Sequence, residues 1–341
     1  MLHLIILVFL TNVGGLHASN NTGQTSREDG SISIIFVGDI SFDGCVRKYV
    51  DQGYISYNDT MLKVAKIIRK ADIAVGNLES AFVSKSMQKY SRSGVKRLRR
   101  YSDARSASAL QFAGFDVMTI SNNHLNDFAD RPVTFTKDVL SKVEIETFGY
   151  NIGTYDSQQR SVILEKKGIK VGFLGYCDFC LKVRKTYKAG AAIYRNDIAE
   201  RDVRNLKRKG VDVVTVYMHW GTEFTTSPTT RQLRIAKYLH SLGVAAVIGA
   251  HPHTLQEIRK TNHQVTAYSL GNFLFPFISD CAPRYKNKPR NYPTRLSRIF
   301  RLQATRNGVI GASYLPVEIW FDWKNKILQP RLSNGTQWID V

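Results

Sequence analysis

The sequence predicts an α/β sandwich of three or four layers, with helices outside its sheets. Three observations predict it. Short apolar runs rich in Val and Ile recur along the chain and are nearly continuous in hydrophobicity, as strands buried on both faces are. Stretches with helical spacing and helix caps fall between them. That alternation is the pattern of helices covering the faces of a sheet. The chain has 341 residues, 43% hydrophobic and 22% charged. Such a composition supports a packed core and excludes a fibrous or wholly disordered protein. No repeat and no long internal linker divides it, so one domain spanning residues 32–335 is expected.

The strands are expected in the order SIIFVGD (33–39), IAVGNLE (73–79), DVMTISNNH (116–124), KVGFLGY (170–176), DVVTVYMHW (212–220), AAVIGAH (245–251) and VTAYSLGNF (265–273). A helix is expected over TMLKVAKIIRKA (60–71), with Leu62, Ala65 and Ile68 on its apolar face. A second covers residues 196–210, with Asn196 as candidate N-cap and Gly210 as the stop. A third covers residues 229–243, capped by Thr229 or Thr230 and ended by Gly243. The tail, residues 313–332, alternates like a hairpin turning near Asn325.

The N-terminal run MLHLIILVFL is apolar but shorter than the ~20 residues that span a bilayer. It reads as the core of a secretory signal peptide over residues 1–18, cleaved after Ala18, rather than as a membrane anchor or an N-terminal helix. A polar linker, residues 19–31, follows. No later segment is long and apolar enough to cross a membrane. The expected location is therefore extracellular. Asn20, Asn58 and Asn334 begin N-glycosylation acceptor triplets. The four cysteines, Cys45, Cys177, Cys180 and Cys281, allow two disulfides in three pairings. A lone CxxC at Cys177 and Cys180 does not make a four-cysteine zinc site.

Lys and Arg number 48 against 28 Asp and Glu, a formal charge of +20. That field attracts polyanions without choosing among them. The run KYSRSGVKRLRRY (89–101) concentrates it, and Lys96, Arg97, Arg99 and Arg100 are candidate contacts for an acidic polymer. The competing readings are a solvated basic loop and a furin-type processing site at residues 97–100. No base-reading motif accompanies the run, so no specific nucleic-acid partner is expected.

Nearly every apolar strand ends in a group able to bind a metal: Asp39, Glu79, the Asn122–Asn123–His124 triplet, His219, and His251 with His253. Ligands of open α/β sheets bind outside the carboxyl ends of the strands, so these ends point to one shared crevice. Singly, a strand-end His is a hydrogen-bonding residue and Asp39 or Glu79 a helix cap. Jointly they form a ligand set. Gly38, Gly76, Gly221 and Gly249 beside them allow close backbone approach.

The segments GDI (38–40), GNLES (76–80), NNHLNDF (122–128), HWGTEF (219–224), GAHPHTLQ (249–256) and YSLGNFLF (268–275) resemble, in order, the motif series of the CapA family. These are poly-γ-glutamate capsule-synthesis proteins, a branch of the calcineurin-like metallophosphatase superfamily. The resemblance implies a four-layer α-β-β-α sandwich, the calcineurin-like metallophosphoesterase fold, and two metal ions bridged by a carboxylate. It makes Glu79 the bridge, Asp39 and His253 ligands of one ion, and Asn123, His219 and His251 ligands of the other. It makes His124 the histidine near the substrate, oriented by Asp127. Asn122 and Glu223 would support the ligands from behind, Glu223 by orienting His219. Mixed O and N donors suit Mn, Fe or Zn rather than Ca.

Three departures stand out. Asp39-Ile40-Ser41 replaces the Asp-x-His of classical metallophosphatases, so one ion loses an imidazole and either one or two ions are expected. Gly-Asn-Leu-Glu stands where phosphatases have two aspartates, and Ala129 stands where CapA proteins usually have Gly. The strand-end ligand set points to a metal-dependent hydrolase or transferase acting on a phosphoester or a γ-glutamyl amide, and the resemblance implies a role in poly-γ-glutamate synthesis or export. The alternative is a non-catalytic secreted binder of acidic polymers that works through its charge.

Overall fold

The structure is a computed structural model that describes residues 30–90, 99–276, 294–322, 324–333 and 335–341. The signal peptide, nearly all of the polar linker, the acceptors Asn20 and Asn334, Lys96, Arg97 and Cys281 lie outside the described residues.

The first half of the chain carries β1 (Ile32–Ile40), α1 (Cys45–Asp51), α2 (Leu62–Ile68), β2 (Ile73–Leu78), α3 (Ala107–Ala113), β3 (Val117–Thr119), α4 (Arg131–Ser141), β4 (Glu146–Phe148) and β5 (Tyr150–Ile152). Next come β6 (Val162–Lys166), β7 (Ile169–Cys177), α5 (Leu181–Arg184), β8 (Ala189–Ala191), α6 (Asn196–Arg208), β9 (Val213–His219), α7 (Thr230–Ser241) and β10 (Ala246–Ala250). The chain closes with β11 (Ile258–Lys260), β12 (Val265–Ala267), β13 (Asn272–Leu274), β14 (Leu296–Thr305), β15 (Gly308–Asp322), β16 (Ile327–Leu332) and β17 (Ile339–Asp340).

Two mixed sheets result. The larger runs β16-β15-β14-β1-β2-β3-β4, with β13 beside β1 and β17 beside β15. The smaller runs β11-β12-β10-β9-β7-β6, and β5 pairs with β8 alone. Three apolar clusters make the layers. Ile34, Phe36 and Val75 of the larger sheet meet Val171, Phe173 and Ile248 of the smaller one between the sheets. Ile35 and Val37, alternating with these along β1, face Val46, Ile68 and Leu110 of the outer helices. On the other side Tyr176, Val216 and Val247 pack on Ile198, Val203 and Leu239 of α6 and α7. The architecture is thus helix, sheet, sheet, helix, and β1 reads as a continuous apolar run because both its faces are covered.

The expected central strands and the closing hairpin are present. Thr229 caps α7 in a capping box with Gln232. Four local expectations are corrected. Leu62 opens α2 and is 55% exposed; the buried face is Val64, Ala65 and Ile68. Asn196 is already helical, the cap being extended Arg195, and its Oδ1 accepts from Tyr194 OH at 2.8 Å instead. The third strand stops at Thr119, which frees residues 120–124 to turn into the crevice. The stretch 265–273 splits: β12 pairs with β10 and β13 with β1, so the chain changes sheets at Gly271. Gly271 has φ of 68°. Its carbonyl accepts from Asp39 N at 3.0 Å, and a Cβ on Gly38 would overlap it. Glycine at both positions lets the crossing chain touch the end of β1.

Candidate metal centre

The carboxyl ends of β1, β2, β9 and β10 bring together ligand-type side chains of both sheets. Parallel pairing sets Asp39 opposite Asn77, with Glu79 just past β2, and sets His219 opposite Ala250, so that His251 follows at the same level. Two groups of donor atoms result, each within 4.8 Å: Glu79 with His251 and His253, and Asp39 with Glu79 and His219. Glu79 belongs to both, the position of a bridge. The groups cut across the division of ligands that the resemblance implied, since His251 lies with His253 and Asp39 with His219. His253 is nonetheless also near Asp39, its Nδ1 3.3 Å from Oδ2.

Amides hold these groups in place. Asn77 Nδ2 donates to Asp39 Oδ1 at 2.7 Å and lies 3.5 Å from His219 Nδ1. Asn122 Nδ2 donates to Asn77 Oδ1 and Leu78 O, and Asn122 Oδ1 accepts from His124 N. Asn123 Oδ1 is 2.8 Å from His219 Nε2. Asn272 Oδ1 is 2.8 Å from His253 Nδ1. His124 Nδ1 lies 2.7 Å from Asp127 Oδ2. Glu223 is exposed, and both nitrogens of His219 face Asn77 and Asn123, so orienting His219 falls to those amides. Ser41 is tied elsewhere: its N donates to Leu274 O of β13, and its Oγ accepts from Asp43 N of its own loop.

The electrostatics suit a cation. Glu79 is fully buried, and among the described residues neither of its carboxylate oxygens has a hydrogen-bond partner, nor does His251 Nδ1. Burial, then the charge of Asp39, push the Glu79 carboxyl well above its usual range. Burial works against the Asp39 carboxylate too, but hydrogen bonds and charge from His253, with help from Asn77, hold it below the usual range. Burial and neighbouring histidines push His219 well down and His251 to about 3, which keeps their imidazoles neutral. A buried carboxylate without donors and neutral imidazoles with lone pairs are what a divalent ion replaces protons on. His251 and His253 also carry φ of 94° and 57°. Strain of that kind costs on the order of 1–3 kcal/mol and persists where packing imposes it.

Aromatic rings wall the centre. Phe275 contacts His253 and Phe179 contacts His251, each with centroids 4.5 Å apart. Phe179 is partly exposed and lies within the Cys177–Cys180 disulfide, which selects one of the three pairings; Cys45 is also disulfide-bonded. Beside the rings lies a cavity of about 690 Å³ lined by Asp178, Phe179, Thr222, Glu223, Arg231 and His251. Asn77, Asn272, Phe179 and Phe275 are site residues that the strand-end reading missed. The signal was present for three of them, which fall inside the segments GNLES and YSLGNFLF.

Facing mixed sheets between helix layers, with donors gathered at the strand ends, define a calcineurin-like metallophosphoesterase fold. The chain belongs to the bacterial capsule synthesis protein PGA_cap family, whose model matches residues 33–276. It is 28% identical over 249 residues to the PGA biosynthesis protein CapA of Bacillus subtilis (strain 168), covering 72% of this chain and 64% of that one. It is 25% identical over 255 residues to the capsule biosynthesis protein CapA of Bacillus anthracis, covering 73% and 61%. The matches thus span less than two thirds of these relatives. Among solved structures, NAD nucleotidase of Haemophilus influenzae superposes with a TM-score of 0.50 at 10% identity, over 92% of this chain and 54% of that one. That likeness concerns the fold.

Proposed function

We propose that this protein is an exported metal-dependent hydrolase or transferase acting on a phosphoester or a γ-glutamyl amide, in the synthesis or handling of an acidic polymer. The observation that carries the reading is Glu79. Both its oxygens are buried, and without a hydrogen-bond partner among the described residues, at the focus of Asp39, His219, His251 and His253. Asp39, Glu79, Asn123, His219, His251 and His253 would hold one or two ions of the Mn, Fe or Zn type. Ions of this class, when bound, lower the pKa of water and offset negative charge in the transition state.

The chain's own groups do the rest. Asp127 fixes the tautomer and direction of His124, which exchanges a proton with the leaving atom. Asn77 and Asn122 link the ends of β1, β2 and the 120–124 turn into one rigid frame. Phe179 and Phe275 cover His251 and His253, limiting the access of bulk water.

The test is elemental analysis of the purified protein, followed by a screen of phosphoesters and γ-glutamyl peptides. One or two retained equivalents, lost in Glu79→Ala, are expected. His124→Ala keeps the metal and loses turnover by about 10²- to 10⁴-fold. A protein that holds no divalent metal refutes the reading. The net charge of +20 would then favour a non-catalytic polyanion binder, recognised by affinity that falls steeply with salt.

A further inference from the structure

Two side chains beside the metal centre sit on pinned backbone and keep exposed tips. Phe179 lies on the loop after β7, which the Cys177–Cys180 disulfide closes. Asp178 N donates to His219 O at 3.0 Å, and the Asp178 carboxylate accepts from Arg231 at 2.6 and 2.7 Å. The Phe179 ring rests on His251 and stays 44% exposed. Glu223 lies on the loop after β9. Next to it, Phe224 N donates to Pro252 O at 2.8 Å, and Thr225 O accepts from Thr254 Oγ1 and Gln256 Nε2. Phe224 has φ of 63°, an angle that packing must impose. The loop is thus tied to the segment that carries His251 and His253. The Glu223 side chain is nonetheless exposed and makes no hydrogen bond or ion pair with a described residue. Phe179, Glu223 and His251 line the cavity of about 690 Å³. Among the described residues of that lining, Asp178 and Arg231 pair with each other, so Glu223 is the carboxylate left over. Arg100, at the end of the basic run, does not line it: its N donates to Asp127 Oδ2, and its guanidinium carbon lies 4.2 Å from the Phe275 ring centroid.

We propose that this cavity is an aminoacyl subsite: Phe179 packs on the aliphatic stem of a γ-glutamyl unit and Glu223 binds its free α-ammonium, leaving the γ-carbonyl beside His251. The chemistry fits the lining part by part. A half-exposed phenyl ring gains by covering methylene groups and gains nothing from a phosphate. A carboxylate on a fixed backbone makes a charge-assisted hydrogen bond to an ammonium at a small ordering cost. Arg231 engages Asp178 through Nε and Nη2, and Nη1 takes no part in that pair. Nη1 can therefore donate to the α-carboxylate beside the ammonium. His251 belongs both to this lining and to the group of donors around Glu79, so a carbonyl placed against it lies at the centre. In a γ-linked chain each α-nitrogen is consumed in an amide except at the amino end. The subsite thus selects a terminal unit over an internal one. The inference rests on the reading above that the centre is a metal site, and it chooses the γ-glutamyl amide over the phosphoester.

The test titrates γ-glutamylglutamate, N-acetyl-γ-glutamylglutamate and inorganic phosphate into manganese-loaded wild type, Glu223→Gln, Phe179→Ala and Phe179→Leu. Metal content is measured on each sample. Wild type is expected to bind the free-amino peptide about five- to tenfold more tightly than its acetylated form, the worth of one solvent-facing charged hydrogen bond. Glu223→Gln should erase that preference while keeping metal and phosphate. Phe179→Ala should weaken both peptides by about four- to fifteenfold, one or two methylene groups uncovered, and leave phosphate unchanged; Phe179→Leu should restore part of the loss. Equal binding of the two peptides by wild type, or a preference that survives in Glu223→Gln, overturns the proposal. Loss of manganese or of phosphate binding in Glu223→Gln or Phe179→Ala overturns it too and makes that side chain a support of the centre. Peptides that fail to bind where phosphate binds overturn the subsite and leave the metal centre standing. If wild type itself retains no manganese, the metal reading falls, and the same titrations of the metal-free proteins decide the subsite alone. A preference that depends on Glu223 then upholds it, and equal or absent binding refutes it.

Discussion

Removing divalent ions is expected to lower the melting temperature, and the structure sets the size of the change. Any ligand that binds only the folded state at 100 to 1,000 times its dissociation constant stabilises by about 2.7–4.1 kcal/mol. Unfolding entropy near 2.1 cal/mol/K per residue gives roughly 0.6 kcal/mol/K for a domain of about 300 residues. The melting point should therefore rise by about 4–7 °C when manganese or zinc is restored to chelated protein. Glu79→Ala separates this from nonspecific effects. The substitution deletes the two unpaired oxygens. It relieves a desolvation penalty of about 1–3 kcal/mol in the metal-free protein, against a cavity cost of similar size. Metal-free Glu79→Ala should melt within a few degrees of metal-free wild type and ignore added metal. Calorimetry or circular dichroism reads both. An unmoved wild-type melting point, or an equal shift in the variant, would refute the argument.

Other consequences are smaller in scope. Ala129 sits at φ of 66°, so Ala129→Gly should stabilise the fold by about 0.5–1 kcal/mol, read as a higher urea midpoint, relief of left-handed strain exceeding the added chain entropy. Phe173, fully buried between the sheets and 5.8 Å from Phe148, should cost about 3–5 kcal/mol on truncation to Ala, read in the same denaturation. Asp72 accepts from Ser33 N and pairs with Lys167; burial opposes its charge, but these partners hold its carboxyl below the usual value. Its contribution is present above the ordinary carboxylate pKa and is lost as pH falls through the lowered one. Asp72→Asn should therefore flatten the acid limb of stability below about pH 4 and narrow its difference from wild type there.

The strand ends were legible because the strands are buried on both faces. Uniform runs such as IFVG and VIGA mark their own limits where polarity begins, and those limits are the site. Segments with mixed surroundings were less legible. Helices α1, α3 and α4 are short or only partly apolar, and Leu62 fits a helical stripe that the actual turn of α2 leaves in solvent. The division of 265–273 between two sheets has no periodic signature, because both pieces are apolar and only Gly271 marks the crossing. Adjacency in HWGTEF points to Glu223, whereas the real holders of His219 come from the other sheet, where no local rule reaches. Ala129 shows the opposite case: a residue that departs from the family's glycine sits at the backbone angle glycine tolerates best.

β1 lies in the middle of the larger sheet, between β2 on one side and β13 and β14 on the other. Its neighbours on that second side come from the far end of the chain, so Asp39 waits for Asn272, and Ile34 for Leu302. On a ribosome, the first carboxylate of the centre would emerge more than two hundred residues before His253. Pairings this distant in sequence form late and slowly. The crevice would close only after synthesis has passed the last of its strands, so metal loading would follow translation, and a nascent chain stalled before β14 would offer no finished site to any ion it met.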